Sequence, residues 1–146
     1  YWRQPALSAE TLRGGWMHTG DIGVMDEDGF VTVVDRLKDM IVSGGENVYS
    51  GEVENALMRH AAVAQCAVIG VPDERWGERV HAVIVRRPDV AIGDEELIAH
   101  CRNLIAAYKC PRSFEFRDAL PLSAAGKLLK HVLREPHWRD QARQIN

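Results

Sequence analysis

The fold is decided by two apolar runs in the middle of the chain, Val63-Ala-Gln-Cys-Ala-Val-Ile-Gly-Val71 and Arg79-Val-His-Ala-Val-Ile-Val-Arg-Arg87. Pro72-Asp73 ends the first run, because proline cannot donate to a strand ladder and this pair favours a turn. In the second run, apolar residues alternate with more polar neighbours, which is the period of a half-buried strand. The stretch therefore predicts two strands of one sheet.

The segments on either side of these runs have helical spacing. Ser50 is a plausible helix cap, and Asp94 can cap a second helix. The apolar positions that share one face are Val53, Ala56, Leu57 and His60 in the first helix, Leu97, Ile98, Cys101, Leu104 and Ile105 in the second, and Leu128, Leu129, Val132 and Leu133 in a terminal helix. A further strand is expected near Ser113–Phe116. The pattern predicts an α+β fold, a small two-layer α/β domain with a three-stranded sheet, helices and a hairpin.

The amino-terminal part of the sequence predicts a separate β-hairpin. Two apolar runs within Ile22–Val34 flank an Asp-Gly turn, a typical hairpin pattern. Residues 1–20 show no sustained period and predict a loop with one short helix near Ala9–Arg13. We expect three parts, residues 1–37, residues 38–136 and a frayed polar tail at residues 137–146. The start at Tyr1, without an initiator methionine, indicates a sequence that begins inside a longer protein.

Composition excludes several classes of partner. The 146 residues carry a formal net charge of -3 and no run of Lys or Arg, so a nucleic-acid surface is not expected. No apolar run approaches the length of about 18 residues that would predict a transmembrane segment. Cys66, Cys101 and Cys110 are odd in number and lack Cys-x-x-Cys spacing. This pattern favours free thiols in a reducing, cytoplasmic compartment.

The common nucleotide and metal signatures are absent. Leu128 follows Gly126-Lys127 where a phosphate-binding P-loop would have Ser or Thr. No Gly-x-Gly-x-x-Gly follows a predicted strand, and the six histidines show no metal-ligand spacing with cysteines or carboxylates. No metal site is therefore predicted in this chain.

Two segments in the first third of the chain are candidates for ligand binding. In Thr19-Gly20-Asp21, a carboxylate follows a glycine and could accept hydrogen bonds from two ribose hydroxyls, although an ordinary turn before a strand gives the same pattern. In a continuing strand, Arg36 and Lys38 would share one face and offer two cations to a phosphate or ribose. A solvated charged surface is the alternative for this second segment.

A third candidate lies in Leu120-Pro-Leu-Ser-Ala-Ala-Gly-Lys127. This small-residue loop is predicted to place Lys127 in the first turn of the terminal helix. The helix macrodipole disfavours a cation at that end by about 0.3–1 kcal/mol, whereas a bound anion reverses the balance. Lys127 is then either an anion-binding residue or a surface lysine that water screens.

The ordered combination of these segments resembles the carboxy-terminal motifs of the acyl-CoA synthetase, luciferase and peptide-synthetase adenylation superfamily. The resemblance covers nearly the whole chain. The matching stretches are Gly15–Gly23, Asp35–Asp39, Gly44–Val48, Gly70–Asp73, Trp76–Glu78, Tyr108–Pro111 and Gly126-Lys127. The sequence departs from the family pattern at Leu122, where relatives often have Lys or Arg, and at Ala125, where they often have Ser or Thr.

The resemblance implies roles for individual residues. Asp21 would bind the adenosine ribose hydroxyls, Arg36 would contact the ribose or phosphate, and Lys38 would be the hinge of a mobile domain. Lys127 would be the catalytic lysine that reaches the acid and the α-phosphate during adenylation. The loop of Val42, Ser43, Gly44, Gly45 and Glu46 would later line the tunnel for the CoA thiol.

The resemblance also implies an activity. The full-length protein would be an AMP-forming acyl-CoA synthetase that uses ATP with Mg²⁺, and CoA, and residues 1–37 would end its large AMP-binding domain. The Mg²⁺ ligands and the acid pocket would lie in that missing amino-terminal domain, so we expect the fragment alone to be inactive. The form of residues 41–48 is similar to that of ligases for fatty, short-chain or medium-chain acids.

Other interpretations stay open at this point. The chain could belong to an adenylation domain that loads a carrier protein, or to a non-catalytic α/β binding module. Trp2, Trp16 and the predicted hairpin would expose apolar surface without the missing domain, which could drive association into a homodimer. The substrate acid cannot be read from these residues.

Overall fold

The chain folds into two compact units. The computed structural model describes residues 1–139. The boundary between them lies between Lys38 and Asp39. The first unit is Tyr1–Lys38, and the second unit begins at Asp39. Each unit is described separately below.

The first unit contains a short helix and a β-hairpin. Helix α1 spans Pro5–Thr11, and strands β1 (Asp21–Met25) and β2 (Val31–Arg36) pair in antiparallel fashion. The hairpin predicted from the Asp-Gly turn is confirmed. The helix lies earlier than expected, because Pro5 is well suited to a first helical turn and Gly14, with φ +69°, does not continue it.

None of the residues of the first unit is buried. Its exposed large apolar side chains include Trp2, Trp16, Val24, Met25, Phe30, Val31 and Val33. A two-stranded hairpin without a hydrophobic face packed on something else is marginally stable in water. The first unit therefore has the surface of an element that normally packs against further protein.

The described part of the second unit, residues 39–139, is a five-stranded sheet with three helices. Its strands are β3 (Ile41–Ser43), β4 (Glu46–Val48), β5 (Val63–Asp73), β6 (Gly77–Arg86) and β7 (Ser113–Phe116), and its helices are α2 (Ser50–Met58), α3 (Asp94–Arg102) and α4 (Lys130–Trp138). Strand β6 pairs antiparallel with β5 along its length, and its other neighbours are β3 and, in parallel, β7. The predicted α/β class, with three strands and an added hairpin, is confirmed.

Helices cover both faces of this sheet. One buried cluster joins α2 and α3 to the even-numbered positions of β6, among them Val80, Ala82 and Ile84. A smaller cluster joins Leu133 of α4 to Val83 of β6 and to neighbouring residues of β5. Because side chains of a strand alternate between faces, α4 lies opposite α2 and α3. The two-layer fold predicted from the sequence did not assign the helices to different faces of the sheet.

Two predicted helix caps are wrong. Tyr49 and Gly93 occupy the cap positions, and neither α2 nor α3 has a side-chain cap hydrogen bond. Ser50 and Asp94 are instead the first helical residues. Asp94 in the first turn still favours the helix, since an acidic side chain complements the positive end of the macrodipole. Ser50 is buried, and its Oγ contacts Lys130 Nζ at 2.7 Å.

The terminal helix begins later and extends further than expected. Leu128 is not helical, because it forms an isolated antiparallel bridge with Leu122. At the other end, Trp138 is still helical and its Nε1 donates to the Gly70 carbonyl oxygen at 3.0 Å. The prediction of a frayed tail is therefore wrong for residues 137–138. Residues 140–146 of that predicted tail lie outside the described residues.

The three cysteines are free in the structure. Burial raises the pKa of the Cys66 thiol to about 12 and that of Cys101 to about 11. Because the thiolate is the reactive form, these thiols are poor nucleophiles at neutral pH. Within residues 1–139, no helix combines the length and the hydrophobicity that spanning a membrane requires.

Candidate functional site

Asp21 and Arg36 form a cross-strand pair in the hairpin of the first unit. They face each other at one end of the β1–β2 ladder, and Arg36 Nε lies 3.6 Å from Asp21 Oδ1. Gly20, with φ +76°, turns the chain just before Asp21, a conformation that glycine adopts at no steric cost. An exposed ion pair of this kind contributes only about 0–1 kcal/mol to stability. The side chains of Arg36 and Asp21 are 60% and 35% exposed, so both groups are accessible to a ligand.

Arg36 and Lys38 do not share a strand face, contrary to the prediction from spacing. Strand β2 ends at Arg36, and Leu37–Asp39 form a 3₁₀ turn. The Leu37 N–H donates to the Gly20 carbonyl oxygen at 2.8 Å, which turns the backbone away from the strand direction. Lys38 is then the last residue of the first unit.

Gly44 and Gly45 form the two-residue turn between β3 and β4. Their φ angles are +62° and +85°, which is the left-handed conformation that a type I′ hairpin turn requires at both central positions. Ser43 and Glu46 face each other across the turn. Ser43 is buried, whereas Val42 and Glu46 are exposed. The segment Val42–Glu46 is thus a rigid turn with an accessible outer surface.

Trp76 packs against this turn. The Gly44 N–H donates to the Trp76 carbonyl oxygen at 2.8 Å, and a Cβ built on Gly44 would lie 2.7 Å from Cε3 of the indole. Arg75 and Arg112 stack on the indole, with Cζ atoms 4.7 and 4.5 Å from the ring centroid. The equivalent Cβ on Gly45 would meet nothing within 4 Å. Only Gly44 is therefore constrained by packing as well as by φ.

We expect Gly44→Ala to destabilise the second unit more than Gly45→Ala does. Both variants place a side chain in the left-handed region, at a cost of about 1–2 kcal/mol. Gly44→Ala must also displace the Trp76 ring, which adds roughly 1–3 kcal/mol. Urea unfolding of the two variants measures the difference. Equal losses would show that the indole does not restrict Gly44.

Lys127 lies in a tight loop and not in a helix, so the prediction of a helical position is wrong. Helix α4 begins three residues later, at Lys130. The Gly126 N–H donates to the Ser123 carbonyl oxygen at 2.9 Å, and the Ser123 N–H donates to the Lys127 carbonyl oxygen at 2.8 Å. Gly126, with φ +74°, completes a three-residue hairpin loop. The macrodipole argument for Lys127 therefore does not apply.

The loop holds the Lys127 backbone and leaves its side chain exposed. Its N–H donates to Ser123 Oγ at 3.1 Å, whereas the ammonium has no ion pair within residues 1–139. The other lysine of this segment, Lys130, is 13% exposed and lies 2.7 Å from Glu54 Oε1. Lys109 is likewise bound, 2.7 Å from Glu52. Lys127 differs from both, because its side chain is exposed and forms no ion pair in the part of the chain that the structure describes.

Two features were not found from the sequence. The Trp76 ring packs on Gly44, which is distant in the chain, so no local spacing signals this contact. His81, Glu115 and His137 place ligand atoms within 4.8 Å of one another, although the sequence predicted no metal site. They are separated by more than 20 residues each, which is why a search for local ligand spacing missed them.

The comparisons with known proteins agree with these motifs. Residues 52–127 match the family described as the AMP-binding enzyme C-terminal domain. Because this match covers more than half of the sequence, the chain belongs to that family, within the acyl-CoA synthetase and adenylation superfamily. The resemblance seen in the sequence is thereby confirmed.

Three individual relatives are named as a synthase, a ligase and a synthetase. The chain is 53% identical over 134 residues to feruloyl-CoA synthase of Amycolatopsis sp, which covers 92% of this chain and 27% of that protein. It is 47% identical over 146 residues to the fatty acid-[acyl-carrier-protein] ligase ScoC of Streptomyces coeruleorubidus, covering 100% of this chain and 28% of that protein. The solved o-succinylbenzoate CoA synthetase of Bacillus subtilis, in complex with its acyl-adenylate, matches with a TM-score of 0.85 and 38% sequence identity. The match covers 98% of this chain and 28% of that chain. The chain thus spans 27–28% of the length of these proteins.

Proposed function

We propose that this chain is the carboxy-terminal part of an acid-thiol ligase. The full-length enzyme activates a carboxylic acid with ATP and transfers the acyl group to CoA. In the first step a carboxylate oxygen attacks the α-phosphorus, and pyrophosphate leaves with the electrons of the broken P–O bond. In the second step the CoA thiolate attacks the acyl carbon, and AMP leaves. The observation that carries the proposal is the exposed Lys127 side chain on a hydrogen-bonded hairpin loop.

The remaining site residues divide between the two steps. Asp21 accepts hydrogen bonds from the ribose hydroxyls, and Arg36, 3.6 Å from it, contacts the ribose or phosphate. Lys127 neutralises the acid and the α-phosphate as they join. The turn Val42–Glu46 replaces Lys127 beside the thiol in the second step, since its glycines let pantetheine approach the backbone.

In this proposal, Lys38 is the hinge between the first unit and the second unit. The residue after it, Asp39, is anchored to α4, because Arg134 Nη2 donates to Asp39 Oδ1 at 2.7 Å. Rotation of the second unit as a rigid body therefore needs torsional freedom before Asp39, and Lys38 is the residue at the boundary. Such hinges absorb backbone changes at a few terminal positions of an element.

A large amino-terminal domain is the proposed partner of the first unit. Exposed apolar residues of the hairpin, such as Phe30 and Val31, then pack against that domain. The domain also supplies the acid pocket and the ligands of the Mg²⁺ that accompanies ATP. A homodimer formed through the same apolar residues is the alternative and stays a prediction. The free thiols favour a cytoplasmic location.

The candidate acids fall into two classes, and there are two candidate thiol acceptors. A fatty, short-chain or medium-chain acid is proposed from residues 41–48, while feruloyl-CoA synthase among the relatives supports an aryl acid equally. Transfer to a carrier protein is the second candidate, because the ligase ScoC is named for that acceptor.

The test uses the full-length protein that contains this chain. Purified enzyme is incubated with ATP, Mg²⁺ and a panel of fatty and aryl acids, with either CoA or a phosphopantetheine carrier protein as acceptor. We expect acid-dependent AMP release and a thioester with one acceptor. Residues 1–146 alone should show negligible turnover. Absence of acid-dependent AMP release with every acid would contradict the proposal and favour a non-catalytic module.

A further inference from the structure

Three side chains from three elements converge on one face of the sheet in the second unit. His81 lies on β6, Glu115 on the parallel strand β7, and His137 on α4. Their ligand atoms all lie within 4.8 Å of one another. The rings of the two histidines are 5.1 Å apart between centroids. None of these residues belongs to the site described above.

His81 supplies the strongest indication of a ligand. The residue is 5% exposed, and its Nε2 is a buried polar atom without a hydrogen-bond partner in the described part of the chain. Glu115 Oε2 lies 3.9 Å from this nitrogen, which is too far for a hydrogen bond. A buried polar atom without a partner costs about 1–3 kcal/mol. A ligand atom bound between Nε2 and the carboxylate would give this nitrogen a partner.

The other nitrogen of His81 is held in the arrangement that a metal ligand needs. Nδ1 lies 2.8 Å from Ser113 Oγ, and Arg79 Nε donates to the same oxygen at 3.3 Å. In the tautomer that carries its proton on Nδ1, Ser113 Oγ accepts the Nδ1–H and the Nε2 lone pair faces the cluster. Ligating histidines are commonly oriented by such a bond at their other nitrogen. Burial lowers the pKa of His81 to about 4, so the ring is neutral at pH 7.

Glu115 contributes a charged oxygen. Arg117 Nε donates to Glu115 Oε1, and this bond lowers the pKa of the carboxyl group. The second oxygen, Oε2, faces His81. Glu115 and His137 are partly exposed, so an ion can enter from solvent and the two side chains can adjust.

We propose that His81 Nε2, Glu115 Oε2 and a ring nitrogen of His137 bind a Zn²⁺ ion. Two imidazoles and a carboxylate are a ligand set that zinc prefers, with water in the fourth position. Donors at about 2.1 Å from a tetrahedral zinc lie roughly 3.4 Å apart, so the partly exposed side chains move inward by roughly 1 Å. The ion fastens α4 to β6 and β7.

The other close histidine pair of the chain does not offer the same chemistry. His60 Nδ1 accepts a hydrogen bond from the Ala62 N–H at 3.2 Å. His100 Nε2 lies 2.9 Å from the Ala56 carbonyl oxygen. The buried side-chain atom without a partner among residues 1–139 is His81 Nε2, and it does not belong to this pair. The zinc site is therefore assigned to the sheet face beneath α4.

Equilibrium dialysis of the chelator-treated chain against Zn²⁺ at pH 7.5 tests the site. The second unit has its own buried core, so the 146-residue chain is suitable material. We expect one saturable equivalent in the parent chain. His137→Ala and Glu115→Gln should each weaken binding more than about 100-fold, because even a change outside the ligands typically costs about 10–100-fold. These two positions are partly exposed, so the variants should fold even where a change at buried His81 would not.

His131→Ala is the matched control, since His131 is an exposed histidine on the same helix. It should bind Zn²⁺ as the parent does. Zn²⁺ should raise the thermal midpoint of the parent and the control, and leave that of His137→Ala unchanged. Absence of a saturable equivalent would overturn the proposal. So would equal losses in His131→Ala and His137→Ala, or full binding by Glu115→Gln and His137→Ala.

Discussion

Replacing Lys127 with Ala should lower acid-dependent ATP–pyrophosphate exchange by the full-length enzyme about 10²–10³-fold, or roughly 3–4 kcal/mol. When a carboxylate attacks the α-phosphate, two anions approach each other and charge builds up on the transferring group. A preorganised ammonium stabilises that state selectively. The loop holds the Lys127 backbone through a hydrogen bond to Ser123 Oγ, which limits the region that the ammonium can reach.

The same variant should spare the second half-reaction. Thioester formation from a supplied acyl-adenylate does not join two anions at phosphorus, and we expect its rate to change less than about tenfold. Arg59→Ala is a control, because it removes another exposed cation of the second unit. Exchange that survives Lys127→Ala would contradict the proposed role. Equal loss in both half-reactions would instead indicate a general failure of domain closure.

Replacing Asp39 with Ala should lower the free energy of unfolding of the second unit by about 3–5 kcal/mol. Asp39 Oδ1 lies 2.7 Å from Arg134 Nη2, and the side chains are 12% and 11% exposed. Removing one partner of a buried pair leaves the other charge in a low-dielectric environment, where it is costly. Urea unfolding monitored by circular dichroism measures this loss.

An exposed carboxylate of the same chain is the control for Asp39. Glu96 lies 3.5 Å from His60 Nε2, with a side chain that is 64% exposed. Glu96→Ala should therefore change stability by less than about 1 kcal/mol. Adding Arg134→Met to Asp39→Ala should recover part of the loss, because the buried charge is gone. If Asp39→Ala cost no more than Glu96→Ala, the pair would not anchor α4.

Much of the fold could be predicted because its strands and helices have clear local patterns. Alternation in Val80, Ala82 and Ile84 reflects a sheet with one face against α2 and α3. The Asp-Gly pair indicated the first hairpin correctly. Helix ends were less predictable, since Ser50 and Asp94 are polar residues that suit both a cap and a first helical turn.

The sequence alone determined the family and the candidate residues. Ordered motifs from Gly15 to Lys127 identified the superfamily, because backbone turns and charged ligands require particular residue types in a particular order. The sequence could not determine the position of Lys127 relative to a helix. That depends on the Leu122–Leu128 bridge and on Gly126.

Only the tertiary structure decided which charges are available. Lys127 and Lys130 are equivalent as sequence, yet Lys130 is bound to Glu54 while Lys127 is exposed. Likewise, the convergence of His81, Glu115 and His137 depends on the parallel register of β7 and on the packing of α4. Residues distant in the chain become neighbours only when a sheet and a helix bury a common core. Local spacing therefore specifies the helices, strands and turns, and tertiary packing specifies the partner of each charged group.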